Sequence, residues 1–292
     1  MYPMSRRYRL DLRRADTPAQ LFAMVEHLAG GLAVMGRPTG DLTDGPVTTT
    51  GDLRRDGYVQ VSRICRRATC EALSAMIERL LEAGLPAVFV LATDAALELG
   101  ARIERAVSAL MGCRYVVVED AWAWRISPGS SGWPPHRGVT SLLDRNVPEA
   151  LNTWVALSDV EIDRSCMHFV SLGDDPAYPG ALDRIDAVPP GRAMPVAAGS
   201  LLFWNANVLH WGGACSPQAA GPRFSCSYSL ARLETPHSHG TPIAPHLTAA
   251  QRIDLIAGQI ATYGAGQPDV SPEVLDWARA TVALRRLREN AP

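Results

Sequence analysis

From Tyr115 onward the chain falls into short apolar and aromatic runs, YVVV, WAWRI, NTWVAL, MHFVSL, SLLFWN and FSCSYSL, separated by clusters of Gly, Pro and Asp. Runs this short, rich in Val, Trp, Phe and Tyr and bounded by turn-forming residues, read as β-strands. Six or more of them in succession suggest a sandwich or a jelly roll. Ahead of them the period changes. Thr17-Pro18 reads as a helix start, with Leu21, Met24, Val25 and Leu28 following at helical spacing. Ala68 to Glu82 and Thr93 to Met111 repeat apolar residues at i, i+3 and i+4, Tyr58 to Val61 alternates as a short strand, and residues 37 to 51 read as a Gly/Pro/Thr loop. Helical period returns at Ala249 to Tyr263 and Pro272 to Leu287.

The expected fold is therefore α+β. A double-stranded β-helix (jelly roll, cupin-like) core over 113–232 is flanked by a helical N-terminal part, 15–112, and C-terminal helices, 248–290. No internal repeat or composition break marks a second domain, so 1–292 is expected to be one domain.

With 47% apolar and 20% charged residues, the bulk of the chain is not disordered. A net charge of −2 argues against extended nucleic acid as a partner. All 28 basic residues are arginines. The absence of lysine excludes Schiff-base chemistry, a pyridoxal-phosphate anchor and a phosphate-loop lysine. A small bound anion must then be held by Arg forks, backbone N–H groups or helix N-termini. The six cysteines show no zinc-like spacing, the N-terminal stretch has no apolar core, and no stretch is long and apolar enough to span a bilayer. The expectation is a cytoplasmic protein with no membrane partner.

Two of the seven histidines stand in unusual company. His136 lies in GWPPHRG directly after a strand, and His210 in WNANVLHWGG, running out of another. Arg223 follows on the next strand, in GPRFS. Adjacent antiparallel strands of a jelly roll can bring two histidines to one end of the barrel while an arginine points in deeper. That is the arrangement of a non-haem iron(II) site with a dicarboxylate cosubstrate, the arginine clamping the far carboxylate.

The segment from about Arg55 to Arg232 resembles the phytanoyl-CoA dioxygenase family of iron(II)/2-oxoglutarate oxygenases. The matching pieces, in family order, are RDGYVQV (55 to 61), WAWRI, SGWPPHR, TWVALSDV, DDPAYPG, and WNANVLHWGG with PRFS. The resemblance implies Fe(II), 2-oxoglutarate and O2, with His136 and His210 as iron ligands and Arg223 as the cosubstrate clamp. It makes Trp154 the aromatic lining the cosubstrate pocket, and Thr153 and Ser225 further cosubstrate contacts.

The family pattern is His-x-Asp, and here the Asp position is Gly138. Three readings follow from that departure. A carboxylate such as Asp144, or His168, supplies the third ligand and the enzyme is a hydroxylase. Alternatively, the chain is a metal-free pseudoenzyme acting as a binding module. The third reading follows the resemblance to iron(II)/2-oxoglutarate halogenases, in which His-x-Gly or His-x-Ala lets chloride or bromide bind iron. On that reading the lost carboxylate opens a cavity at Gly138, and the enzyme chlorinates an unactivated aliphatic C–H bond in natural-product biosynthesis.

The expected partner is a free small molecule, with no carrier-protein docking surface recognised. Trp124 and Trp133 are the candidate substrate contacts. Arg125, Arg137, Arg145, Arg164 and the pairs Arg6-Arg7 and Arg13-Arg14 could serve a phosphate, which makes a nucleotide such as an adenosine monophosphate a candidate substrate. His237 and His239 fall in a Pro/Gly-rich stretch read as a solvated loop or active-site lid.

Overall fold

Strand-forming runs bounded by turns pair with one another in the computed structural model, which describes residues 17–29, 32, 47–138, 148–178, 188–234, 240–244 and 246–289. Its strands are β1 (Thr49–Asp52), β2 (Tyr58–Val61), β3 (Tyr115–Ile126), β4 (Trp133–His136), β5 (Ala150–Ala156), β6 (Met167–Phe169), β7 (Arg192–Met194), β8 (Leu201–Asn205), β9 (His210–Gly212) and β10 (Arg223–Arg232). They form a six-stranded sheet, β1-β2-β8-β5-β10-β3, and a four-stranded sheet, β4-β9-β6-β7. Every pairing is antiparallel. This is the jelly-roll core expected from the sequence.

The chain divides into two compact units. The strands belong to the one that takes in Thr39–Ser74 and Glu98–Ile243. Side chains in a strand alternate between faces, so the register decides what enters the interior. Trp154 and Ala156 of β5 share a buried cluster with Leu202 and Trp204 of β8, Tyr58 of β2, and Met167, Phe169 and Met194 from the four-stranded sheet. That cluster fills the space between the sheets. On the other face of the six-stranded sheet lies Tyr228. Its ring would stand 3.1 Å from a Cβ at Gly100, within the helix α3 (Asp94–Met111), so the missing side chain is what permits this approach.

The other unit takes in Ala75–Leu97 and the two end segments Met1–Pro38 and Ala244–Pro292. Here α1 (Thr17–Ala29) ends with its carbonyls at Leu28 and Ala29 accepting from the Arg79 guanidinium, at 2.6 and 3.1 Å. A capping box, Thr248 with Gln251, starts α4 (Ala249–Tyr263). The Arg252 guanidinium of α4 donates to the Ala92 carbonyl and pairs with Asp94. On α5 (Pro272–Glu289), Trp277 stacks on Phe89 with ring centroids 5.9 Å apart. Among the described residues no helix is long and apolar enough to cross a membrane.

Four strands escape the sequence reading, among them β9, three residues that read only as the continuation of the SLLFWN strand. β1 occupies the end of the stretch read as a loop, and all four of its residues are exposed, so it carries no alternation to detect. The Trp-Pro-Pro-His segment forms β4 despite two residues without an N–H, which is possible because β4 is an edge strand. β7 has only three residues.

Candidate metal centre

His136 closes β4 and His210 opens β9, and the two are directly opposite in the register of that pair. Their ring centroids are 4.2 Å apart with planes tilted by 52°. Each ring is held in the same way. Nδ1 of His136 lies 2.9 Å from the Pro134 carbonyl, and Nδ1 of His210 lies 2.9 Å from the Val208 carbonyl. A carbonyl only accepts, so both Nδ1 atoms carry the proton and donate. The tautomer is thereby set with the lone pair on Nε2, the form that ligates a metal. His210 is buried between Trp204, at 4.7 Å, and Phe169, at 6.1 Å. Burial pushes its pKa down to about 3, with His136 adding to the shift, and burial also lowers that of His136. Both imidazoles are neutral at neutral pH.

Arg223 and Ser225 share the inner face of β10, Ser225 lying opposite Ala156 and Trp124. The Arg223 guanidinium is 5.4 Å from the Trp154 ring centroid and donates through Nη1 to the Ser225 hydroxyl at 3.2 Å. Only 4% of Arg223 is exposed, yet its Nε has no hydrogen-bond partner and no carboxylate pairs with it among the described residues. Burial drags its pKa down from the ordinary arginine range to about 10. The indole N–H groups of Trp154 and Trp204 are also buried there without a partner among the described residues. A buried cation without a counter-ion is costly in a folded protein. The donor set fits what the sequence proposes: two imidazole lone pairs for a metal, and a guanidinium with indole N–H groups for an anionic cosubstrate.

Other expected site residues are placed elsewhere. Thr153 neighbours Trp154 on the same strand and so faces the opposite side of the sheet, where its hydroxyl donates to the Tyr228 carbonyl at 2.6 Å. Arg125 likewise faces away from the side of Trp124, and its Nη1 donates to Ser127 at 2.5 Å. Arg137 is no surface contact for substrate. Its guanidinium is buried in a two-point ion pair with Asp175, Nη2 lying 2.8 Å from Oδ1, while Nη1 also donates to the Asn207 carbonyl at 3.0 Å. Arg164 is spent on the carbonyls of Gly221 and Asp159. His168 cannot serve as third ligand, because it sits one residue from Phe169, the register partner of His210, and faces the other side of the sheet. There it stacks on Trp211 at 5.2 Å. Trp124 packs half-buried against the interior cluster, and Trp133 is 47% exposed with its ring edge toward His136 at 6.4 Å. Asp144, Arg145, His237, His239 and the N-terminal arginine pairs lie outside the described residues.

No cluster of three or more His, Cys, Asp or Glu residues that could hold a metal forms among the described residues. Gly138 itself corrects one expectation, since no side-chain cavity opens at its Cα. A Cβ there would lie 2.8 Å from the Ala206 carbonyl oxygen, 2.8 Å from Asn152 Nδ2 and 3.4 Å from the Ala206 Cβ. The Gly138 N–H donates to that same carbonyl at 2.7 Å. Close packing thus demands glycine, and even alanine has to push backbone aside.

Asn152 and Asp175 were not singled out in the sequence. Asp175 lies within the DDPAYPG piece but has no partner visible there, and Asn152 reaches Gly138 only through strand pairing. The Arg137–Asp175 pair joins the segment following His136 to the segment after β6, and the Arg137 hydrogen bond to the Asn207 carbonyl reaches the turn preceding His210. Both side chains are 2% exposed, so Asp175→Ala leaves an uncompensated buried cation. A loss of about 3–5 kcal/mol in unfolding free energy is expected from denaturant titration. The double variant Arg137→Met/Asp175→Leu should recover much of it. Equal losses in the two variants would show that the pair's charge is not what matters.

No protein-family model matches the sequence, and no curated protein sequence matches it. Among solved structures, AviO1 from Streptomyces viridochromogenes Tue57 aligns over 63% of this chain and 93% of its own at 16% identity, with a TM-score of 0.52. EvdMO1 aligns over 62% of this chain and 48% of its own at 17% identity and TM-score 0.50. SnoN, a non-heme alpha ketoglutarate dependent epimerase from nogalamycin biosynthesis, aligns over 76% and 91% at 22% identity and TM-score 0.49. At these identities the likeness is one of fold. The chain has the antiparallel jelly-roll fold of AviO1 and EvdMO1.

Proposed function

We propose that this chain is an iron(II)- and 2-oxoglutarate-dependent enzyme that transfers chloride or bromide to an unactivated aliphatic C–H carbon of a free small molecule, in natural-product biosynthesis. One observation carries the reading: two neutral imidazoles with oriented Nε2 lone pairs meet at 4.2 Å, with no third protein ligand gathered among the described residues. An iron held by His136 and His210 would supply, with 2-oxoglutarate, O2 and halide, the oxidising power for removing the hydrogen atom.

The chain's own residues do the rest. His136 and His210 hold the metal in a fixed tautomer. Arg223, backed by Ser225 and the Trp154 ring, takes the far carboxylate of 2-oxoglutarate. Gly138 contributes no ligand, which leaves a coordination position to an anion from solution. Trp204 and Phe169 wall the His210 side and keep it dry. Trp124 and the exposed Trp133 are the apolar surfaces against which a substrate would rest. A nucleotide stays the substrate candidate to try first, although Arg137 and Arg164 are already paired internally and lend it no support.

Metal-free protein reloaded anaerobically with Fe(II) and 2-oxoglutarate, then given O2, candidate nucleotides and either chloride or no halide, provides the test by mass spectrometry. A halogenated product that requires halide is expected. Stoichiometric iron with a hydroxylated product irrespective of halide would instead support the hydroxylase, with Asp144 the residue to mutate next. Failure to bind iron would support the metal-free binding module.

A further inference from the structure

Asn152 lies on the inner face of β5, opposite Trp204 of β8, whose ring is 4.7 Å from that of His210. Its amide nitrogen stands 2.8 Å from the place where a Cβ of residue 138 would be, two residues beyond His136. It is thus tied to both histidine-bearing segments. No side-chain hydrogen bond of Asn152 is formed among the described residues. The nearby Ser229 hydroxyl, its register partner on β10, is engaged with Asp120 at 2.6 Å. Gly138 N–H is already spent on the Ala206 carbonyl. Among the described residues the amide of Asn152 is therefore an N–H donor without a hydrogen-bond partner beside the position that a Cβ at 138 would fill.

We propose that Asn152 is the residue that recognises the halide, its amide N–H donating to a chloride or bromide at the coordination position facing Gly138. The inference rests on the halogenase reading and deepens it. Gly138 and Asn152 then work as one device: the glycine gives the amide room, since a Cβ at 138 would stand 2.8 Å from the amide nitrogen. A carboxylate at 152 would repel the halide, and an apolar side chain would leave it without a donor.

The test needs no turnover. Protein loaded anaerobically with Fe(II) and 2-oxoglutarate is titrated with chloride and with bromide while the charge-transfer absorption of the complex is followed, for the wild type, Asn152→Leu, Asn152→Ala and Asn152→Asp. The wild type should show a saturable halide response. Asn152→Leu and Asn152→Ala should raise the halide dissociation constant about fivefold, the effect of one lost hydrogen bond. Their 2-oxoglutarate affinity, which a merely structural role would disturb, should stay unchanged. Asn152→Asp should show no halide response. Wild-type halide constants in both the Leu and Ala variants would overturn the proposal and leave the halogenase reading standing. Loss of 2-oxoglutarate binding in both would also overturn it, making Asn152 a support of the site. No halide response in the wild type, with iron and 2-oxoglutarate bound, would remove the halogenase reading and this proposal together.

Discussion

His210→Phe is expected to purify folded and free of iron. Phenylalanine keeps the aromatic volume between Trp204 and Phe169 but has no lone pair, so packing is retained while one of the two proposed metal ligands is lost. A site with two imidazoles has no redundancy, and the flanking carbonyls that orient the rings cannot substitute for a nitrogen ligand. His136→Ala should behave alike, at an edge where little packing is at stake. His168→Ala supplies the control, because that ring is stacked on Trp211 on the other face of the sheet and should leave iron content unchanged. Iron measured after anaerobic loading and desalting decides the matter. Stoichiometric iron in both His136→Ala and His210→Phe would remove the assignment of the centre, and loss of iron in His168→Ala would redraw it.

Much of the fold could be read because helices and buried strands leave periodic signals. Ala249 to Tyr263 coincides with α4, and Tyr58 to Val61 with β2. β1 could not be read, since a strand exposed along its whole length shows no alternation to find. At the site, His136, His210, Arg223 and Trp154 were legible as motifs, and the structure brings the two histidines together and the arginine over the tryptophan. The misplacements of Thr153 and Arg125 share one cause, the two-residue period of a strand. Thr153 cannot face the side of Trp154, nor Arg125 that of Trp124, whatever the family pattern proposes, whereas Arg223 and Ser225, two apart, must share a face. Arg137 failed for another reason. Its partner Asp175 is distant in sequence, and only the folded chain shows that the guanidinium is internal. The same holds for Asn152, which meets Gly138 through the pairing of β5 with β8.

Arg223→Met is expected to move stability and ligand binding in opposite directions. In the ligand-free protein the Arg223 guanidinium is buried, with no carboxylate paired to it among the described residues. Its folded pKa of about 10 lies below the ordinary arginine range. The unfolded chain therefore binds the proton more tightly than the folded one, and at neutral pH the charge works against the fold. Stability from this group returns only as pH rises above about 10 toward the ordinary arginine value. Methionine fills much of the same volume without a charge, so the ligand-free variant should gain roughly 1–4 kcal/mol by comparison with other buried charges replaced by apolar residues. 2-Oxoglutarate, bound by the native state alone, should raise the melting temperature of the wild type by mass action. The variant should lose that response, its far carboxylate now facing an apolar side chain, at a cost of about 2–5 kcal/mol or at least thirtyfold in Kd. Arg223→Lys should recover binding only in part, because an ammonium cannot present the two parallel N–H groups of a guanidinium. Melting curves with and without 2-oxoglutarate read both effects at once. A lower melting temperature in Arg223→Met with the 2-oxoglutarate shift intact would make Arg223 a structural residue and place the clamp on another donor.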